Sequence, residues 1–231
     1  MNTSVRTIGF IGSGNIGGTV AKLAIAAGYH VVLSNSRGPE TLAALCAELG
    51  KNACAKTPQE AAQAGDLVVL TVPLRAILDL PPALLSGKVV LDTGNYYPDR
   101  DGRIPELDNK TQTTSGLVQK HFPSARIVKA FNNIYFKHLA VLARSHGSPE
   151  RSALPIAGDD ASAKALATTF LDAIGYDAVD VGPLCESWRS ERDMPAYGSI
   201  YGTPNSGPFY TAPASPASAE KLRTALAAGV R

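Results

Sequence analysis

Three glycines near the N-terminus carry the sharpest chemical signal. Gly12-Ser13-Gly14-Asn15-Ile16-Gly17 has the G-x-G-x-x-G spacing. The spacing alone is weak, but here it follows an apolar stretch (residues 6–11) and opens a helical one, the context a dinucleotide turn requires. Gly12 permits the tight turn, Gly14 admits a pyrophosphate to the backbone, and Gly17 lets the helix pack close to the strand. The first N–H groups of that helix and its dipole then face the phosphates. The bland alternative is a glycine turn with no ligand.

The second signal lies at the end of the next strand. A reader of NAD places Asp or Glu about 20 residues beyond the glycines, on the ribose 2′-hydroxyl. The stretch here is Leu33-Ser34-Asn35-Ser36-Arg37, and no acid occurs before Glu40. Ser34, Asn35 and Ser36 can donate hydrogen bonds to a 2′-phosphate, and Arg37 can pair with its charge. The pattern predicts NADP(H) rather than NAD; the alternative is a solvated loop whose Arg37 pairs with Glu40. Thr71, Val72 and Pro73 close a further strand at its carboxyl end, where doubly wound folds bind ligands, and Val72 and Pro73 could flank the adenosine side of the nucleotide; the alternative is an ordinary strand exit. Asp92-Thr93-Gly94-Asn95-Tyr96-Tyr97 and Lys129-Ala130-Phe131-Asn132-Asn133 sit at two more strand ends. Both mix small residues, amides and aromatics that could border a nicotinamide and a flat second substrate, or simply cap loops.

Other chemistries find little support. His30, His121, His138 and His146 show no ligand spacing and read as surface or packing residues. No metal cluster and no G-x-S-x-G elbow is present. Cys46, Cys54 and Cys185 are odd in number and widely spaced, which suits reduced thiols in a cytoplasmic protein.

The elements that must position these residues alternate. Strands are expected at 6–11, 30–34, 66–72, 88–92, 126–129, 153–157 and 177–181. Helices are expected at 15–27, 39–49, 57–64, 114–121, 133–143 and 160–174. Such alternation predicts an α/β, Rossmann-like, doubly wound and mainly parallel sheet. Continuous apolar runs such as DLVVLTV fit a sheet covered on both faces. With 231 residues, 45% of them apolar, the chain can bury one large core. Net charge is +2 with no basic run, so a nucleic-acid partner is not expected. No apolar stretch is long enough to span a membrane, and the N-terminus MNTSVRTIGFIGSG lacks the features of a signal peptide.

After residue 182 the composition changes. Residues 183–231 carry Trp188, Tyr197, Tyr201, Phe209 and Tyr210 among six prolines. The domain division is therefore a nucleotide-binding domain, 1–182, and an irregular aromatic and Pro-rich C-terminal tail, 183–231. Its one expected helix spans 216–228, with Ser215 as N-cap. Aromatics this dense predict a tail packed across the cleft or across a partner subunit in a homodimer.

These blocks together resemble the deazaflavin (coenzyme F420)-dependent NADP oxidoreductases. The resemblance runs in unbroken order over residues 6–182. It rests on IGFIGSGNIG (8–17), Ser34-Asn35-Ser36-Arg37, Thr71-Val72-Pro73, Asp92-Thr93-Gly94-Asn95, VKAFNN (128–133) and Ala157-Gly158-Asp159-Asp160. It implies a Rossmann domain that exchanges hydride between NADP(H) and a deazaflavin, or a flavin in related modules. It further implies that Ser13, Gly14, Asn15 and Ile16 contact the pyrophosphate, that Ser36 and Arg37 hold the 2′-phosphate, and that Val72 and Ala130 line the nucleotide groove. Thr41 stands where a family member can carry lysine. Residues 186–197 depart from the deazaflavin enzymes and look like the closing segment of other reductases of this type.

The leading expectation is NADPH-dependent hydride transfer to a flat small-molecule acceptor, with no acid–base residue marked. One alternative is a non-catalytic NADP-binding redox sensor or partner-binding module. Another is reduction of a small carbonyl or imine, which needs a donor such as Tyr96, Tyr97 or His138 near the nicotinamide.

Overall fold

A computed structural model describes residues 5–231; Met1 to Ser4, the start of the segment read for a signal peptide, lie outside it. Eight strands form one sheet. They are β1 (Thr7–Ile11), β2 (His30–Ser34), β3 (Ala53–Ala55), β4 (Leu67–Leu70), β5 (Val89–Asp92), β6 (Arg126–Lys129), β7 (Ala153–Gly158) and β8 (Asp177–Gly182). Their spatial order is β3-β2-β1-β4-β5-β6-β7-β8. Every neighbouring pair is parallel except β6 and β7. The order reverses between β1 and β4, which opens a crevice at their carboxyl ends.

Side-chain alternation explains why both faces are covered. Phe10, Leu33, Val69, Leu91 and Val128 point into one core, and Ile11, Val32, Leu70, Val90 and Ile127 into the other. Helix α1 (Asn15–Ala26) and α9 (Ala161–Ala173) cover the first face through Val20, Ala24, Ala167 and Phe170. Helix α3 (Pro58–Ala64) and α7 (Thr114–His121) cover the second through Ala61, Ala62 and Val118. Between them run α2 (Ala43–Leu49), α4 (Leu74–Leu78), α5 (Pro98–Asp101), α6 (Pro105–Asp108) and α8 (Phe136–Val141). No helix among the described residues is long and apolar enough to cross a membrane.

The expected α/β architecture is present, with differences that have local causes. Strand β3 is three residues long, half exposed and made of Ala-Cys-Ala, so neither pattern nor propensity marks it. Helix α8 starts at Phe136 rather than at 133, because Asn132 and Asn133 are held in other bonds. The last helix, α10 (Ala219–Ala227), is capped by Ser218, whose hydroxyl accepts from Lys221 N. It does not start at Pro216 because Ala217 is tied to β7: Ala153 N donates to Ala217 O at 2.8 Å, and Ala217 N donates to Ser152 Oγ at 3.2 Å.

The segment after residue 182 is part of the same core. Tyr201 is fully buried, and its hydroxyl donates to Ala153 O (2.8 Å) and accepts from Asn133 Nδ2 (3.0 Å). Leu222 and Leu226 of α10 pack with Ala153 and Val179. Removing the Tyr201 hydroxyl leaves two buried polar groups short of a partner, at a cost of about 1–3 kcal/mol. Tyr201→Phe should therefore lower the melting temperature by about 2–4 °C per kcal/mol lost. Thermal unfolding of the two proteins measures this, and an unchanged midpoint would show that the hydroxyl contributes nothing.

Candidate functional site

The carboxyl ends of β1, β4, β5 and β6 converge on one cleft of about 470 Å³. The glycine turn supplies its first edge. Gly12 has φ +102°, and a Cβ there would lie 2.5 Å from Thr71 O, so only glycine fits. A Cβ on Gly17 would lie 2.6 Å from Gly12 O, which lets α1 close onto the turn. Gly14 differs: a Cβ there would meet nothing within 4 Å. Helix α1 has no side-chain cap and no acid in its first turn. Its free N–H groups therefore face open space beside Gly14, as a bound pyrophosphate requires. Gly14, Asn15, Ile16, Thr71, Val72 and Pro73 all line the cleft, while Ser13 is half-buried in the turn.

The turn after β2 has divided roles. Gly12 N donates to Ser34 O at 3.1 Å, which places this turn beside the glycines. Ser34 itself is fully buried and its hydroxyl donates to Phe10 O at 2.6 Å, so it fastens β2 to β1 instead of facing a phosphate. Asn35 is spent on shaping the turn: its Nδ2 donates to Thr41 Oγ1 and its Oδ1 accepts from Arg37 N. Thr41 thus acts in the turn through its hydroxyl. Ser36 and Arg37 remain exposed, and among the described residues Arg37 makes no ion pair with Glu40.

Two loops form the cleft floor. After β5, buried Asp92 accepts from Gly94 N (2.9 Å), Ser115 Oγ (2.6 Å) and Lys129 Nζ (3.5 Å), and Lys129 also donates to Gly94 O. Farther along, Asp101 accepts from Tyr97 N and from both Arg100 Nε and Arg100 Nη2. Burial pushes its carboxyl pKa up, but the bonds from Arg100 and Tyr97 N–H and the Arg100 charge outweigh this and hold it below the usual range. Arg100 Nη2 donates as well to Asn95 O, so the charged pair fixes the loop that carries Asn95 and Tyr97.

After β6 the chain turns sharply. Phe131 has φ +62°, a left-handed conformation that costs a side-chain-bearing residue roughly 1–2 kcal/mol. Its ring is fully buried and meets Phe170 edge-on at 6.4 Å. Ala130, expected in the nucleotide groove, is instead fully buried beneath the cleft within the α1-side core; Phe131 to Phe136 line the cleft in its place. Asn132 Nδ2 donates to Ser190 O (2.7 Å) and Asn133 Nδ2 to Ala196 O (2.9 Å). Asn133 lines the cleft, and its Oδ1 is buried with no partner among the described residues.

The tail completes the wall with Tyr197, Gly198, Phe209 and Tyr210. Tyr97 and Tyr197 join through their hydroxyls at 2.7 Å. Burial, then the Tyr97 hydroxyl, pushes the Tyr197 pKa well above its usual value. Of the three donors considered from sequence, only Tyr97 faces the cleft. Tyr96 donates to Asp108 and lines a separate cavity, and buried His138 bonds Ala212 O. Arg100, Tyr135 and Phe136 line the cleft without having been marked by sequence. Asp101, which fixes the first, is buried, and no pattern in the sequence marks it as such.

Residues 7–96 match the sequence model of the family described as NADP oxidoreductase, coenzyme F420-dependent. The match spans the glycine turn, the Ser34–Arg37 turn and Thr71–Pro73, and supports the resemblance read from sequence. No curated protein matches the chain. Among solved structures, a hypothetical protein of Sinorhizobium meliloti is 25% identical with a TM-score of 0.73, over 85% of this chain and 95% of that one. A protein from Arthrobacter sp. FB24, described as an F420-dependent NADP reductase, is 23% identical with a TM-score of 0.65, over 78% and 86%. A longer reductive aminase from Aspergillus terreus, solved with NADPH, shares the fold at 18% identity and a TM-score of 0.55, over 79% and 57%.

Gly14→Val tests the phosphate site. The side chain has room in the free protein but fills the space a pyrophosphate needs. NADP binding should be lost with the melting temperature nearly unchanged. A variant that binds NADP normally would move the phosphates elsewhere.

Proposed function

We propose that this NADP-dependent oxidoreductase exchanges hydride between NADP(H) and a planar acceptor of the flavin or deazaflavin type. The aromatic wall of the cleft carries the reading. Tyr135 and Tyr197 both meet Phe209 edge-on, at 6.1 and 5.6 Å between centroids, and Tyr97 stands across from them through its bond to Tyr197. Flat rings against flat side chains bury much area at little entropy cost and keep water from the reacting atoms.

Bound NADPH supplies the hydride from its nicotinamide ring. The chain's own residues hold and orient. Ser13, Gly14, Asn15 and Ile16 take the pyrophosphate at the N-terminus of α1. Ser36 and Arg37 take the 2′-phosphate, in a turn shaped by Asn35 and Thr41. Val72 and Pro73 flank the adenosine side of the nucleotide. The tail, 183–231, serves as the closing wall over the nucleotide-binding part, 1–182. Bringing two rings into contact in a dry cleft supplies most of what such a transfer needs. A second reading, reduction of a small carbonyl or imine, is favoured by one observation: the Tyr97 hydroxyl reaches the cleft.

The nucleotide preference gives the test. Arg37→Ala removes a charge-assisted contact worth about 1.5–3 kcal/mol, which weakens NADP binding about 10- to 150-fold. NAD binding should not change. Calorimetric titration of both nucleotides into both proteins measures the difference, and equal NADP affinities would overturn the 2′-phosphate assignment.

A further inference from the structure

Two cavities share an aromatic wall that contains one hydrogen bond. Tyr97, Tyr197, Phe209 and Tyr210 line both spaces, and the Tyr97–Tyr197 hydroxyl pair lies in that wall. The outer space, an open cavity of about 560 Å³, is otherwise lined by Arg192, Met194, Pro195 and Ser199 among others. We propose that Tyr97 donates the proton that accompanies hydride transfer to the acceptor, and that Tyr197 relays its replacement from the outer cavity. The inference rests on the hydride-transfer reading of the cleft.

The balance of the reaction creates the need. The acceptor gains a hydride, two electrons with one hydrogen, and NADP⁺ is the oxidised product. A neutral reduced acceptor then requires a proton at a heteroatom, a ring nitrogen in a flavin or deazaflavin. The Tyr97 O–H bond breaks as the acceptor N–H bond forms. The Tyr197 proton passes along the 2.7 Å bond to the Tyr97 oxygen, and one proton from bulk solvent, entering through the outer cavity, restores Tyr197, so that the net reaction consumes NADPH, acceptor and one H⁺.

The surroundings act on the Tyr97 ring. Either hydroxyl of the pair can donate, and when Tyr197 donates the Tyr97 proton is free for the cleft. Two guanidinium groups lie over the Tyr97 ring, Arg100 at 4.8 Å and Arg192 at 5.4 Å from its centroid. Positive charge there stabilises negative charge as it builds on the phenol during transfer. Asp101 takes the Tyr97 backbone N–H and is neutralised by Arg100, and Asp193 pairs with Arg192. Asp193 is held in a left-handed conformation at the outer mouth, φ +68°. Tyr135 and Tyr210 also reach the cleft, but among the described residues neither hydroxyl is bonded to a second proton carrier. Asp92 and Lys129 are sealed beneath the floor.

The test uses NADPH with 5-deazariboflavin as probe. Tyr97→Phe keeps the ring and should lower kcat about 100-fold, within the range for a lost general acid. Tyr197→Phe should lower it about 10-fold, because water can partly replace the relay. Affinity of the probe for the protein–NADP⁺ complex, followed by fluorescence without turnover, should stay within about threefold in both, the range left when a contact is worth under 1 kcal/mol. The wild type should turn over more slowly in D₂O, and Tyr197→Phe should change that isotope effect. A Tyr97→Phe kcat within twofold of wild type, or a probe affinity that falls as far as kcat, would overturn the relay. So would a wild type with no solvent isotope effect while deuterated NADPH slows it. Failure of the wild type to oxidise NADPH with any ring acceptor would instead overturn the hydride-transfer reading, and the relay with it.

Discussion

Two buried amides hold the tail over the cleft. Asn132 and Asn133 follow β6, and each donates to a backbone carbonyl of the tail, Ser190 O and Ala196 O. Phe131 makes the turn by accepting a left-handed backbone, and its buried ring repays that cost inside the core. The strain thus sits at the first residue of the segment, Phe131 to Phe136, that lines the cleft. Through Tyr201, bonded to Asn133 and Ala153, the same turn locks the tail to β7.

The tail adds a wall to the groove that a bare Rossmann sheet offers, through Tyr197, Gly198, Phe209 and Tyr210. Phosphates need only a glycine turn and a helix N-terminus, here Gly12 to Gly17 and α1. The proposed hydride transfer needs water kept from the rings as well, and in that proposal the tail wall serves this end. The charged pairs serve the same end from below. Asp92 with Lys129, and Asp101 with Arg100, are buried wholly or on one side, and each aims its bonds at the backbone of the loop carrying Thr93 to Tyr97. Pairs of this kind give modest net stability but specify one loop geometry, because removing either partner leaves a charge uncompensated.

Much of the fold was legible because its pattern is local. Apolar runs bounded by glycine mark β1, β2 and β4, and the helices between them follow from periodicity. The antiparallel β6–β7 pair was not legible, since nothing in either strand encodes its neighbour's direction. Strand β3 was too short and too exposed to show. In the candidate site, the placement of the glycine turn and Thr71–Pro73 at the cleft was legible because it follows from strand ends. Ser34 and Ala130 were misplaced for one reason. Residue type showed what each could do, but the side to which a strand end points decides whether it faces ligand or core. Ser34 turns into the sheet and Ala130 into the α1-side core. The aromatic tail announced itself by composition, but its partner in the Tyr97–Tyr197 bond lies 100 residues away and no spacing rule connects them.

The central claim is direct hydride transfer in a water-excluding cleft. The measurement closest to it follows the hydrogen itself. NADPH carrying deuterium at one face of nicotinamide C4 is oxidised in H₂O with 5-deazariboflavin, whose reduced carbon does not exchange with solvent. Mass spectrometry then locates the label. The account predicts one deuterium in the reduced acceptor from one face of the nicotinamide and none from the other. Label lost to water, or delivered equally from both faces, would contradict it.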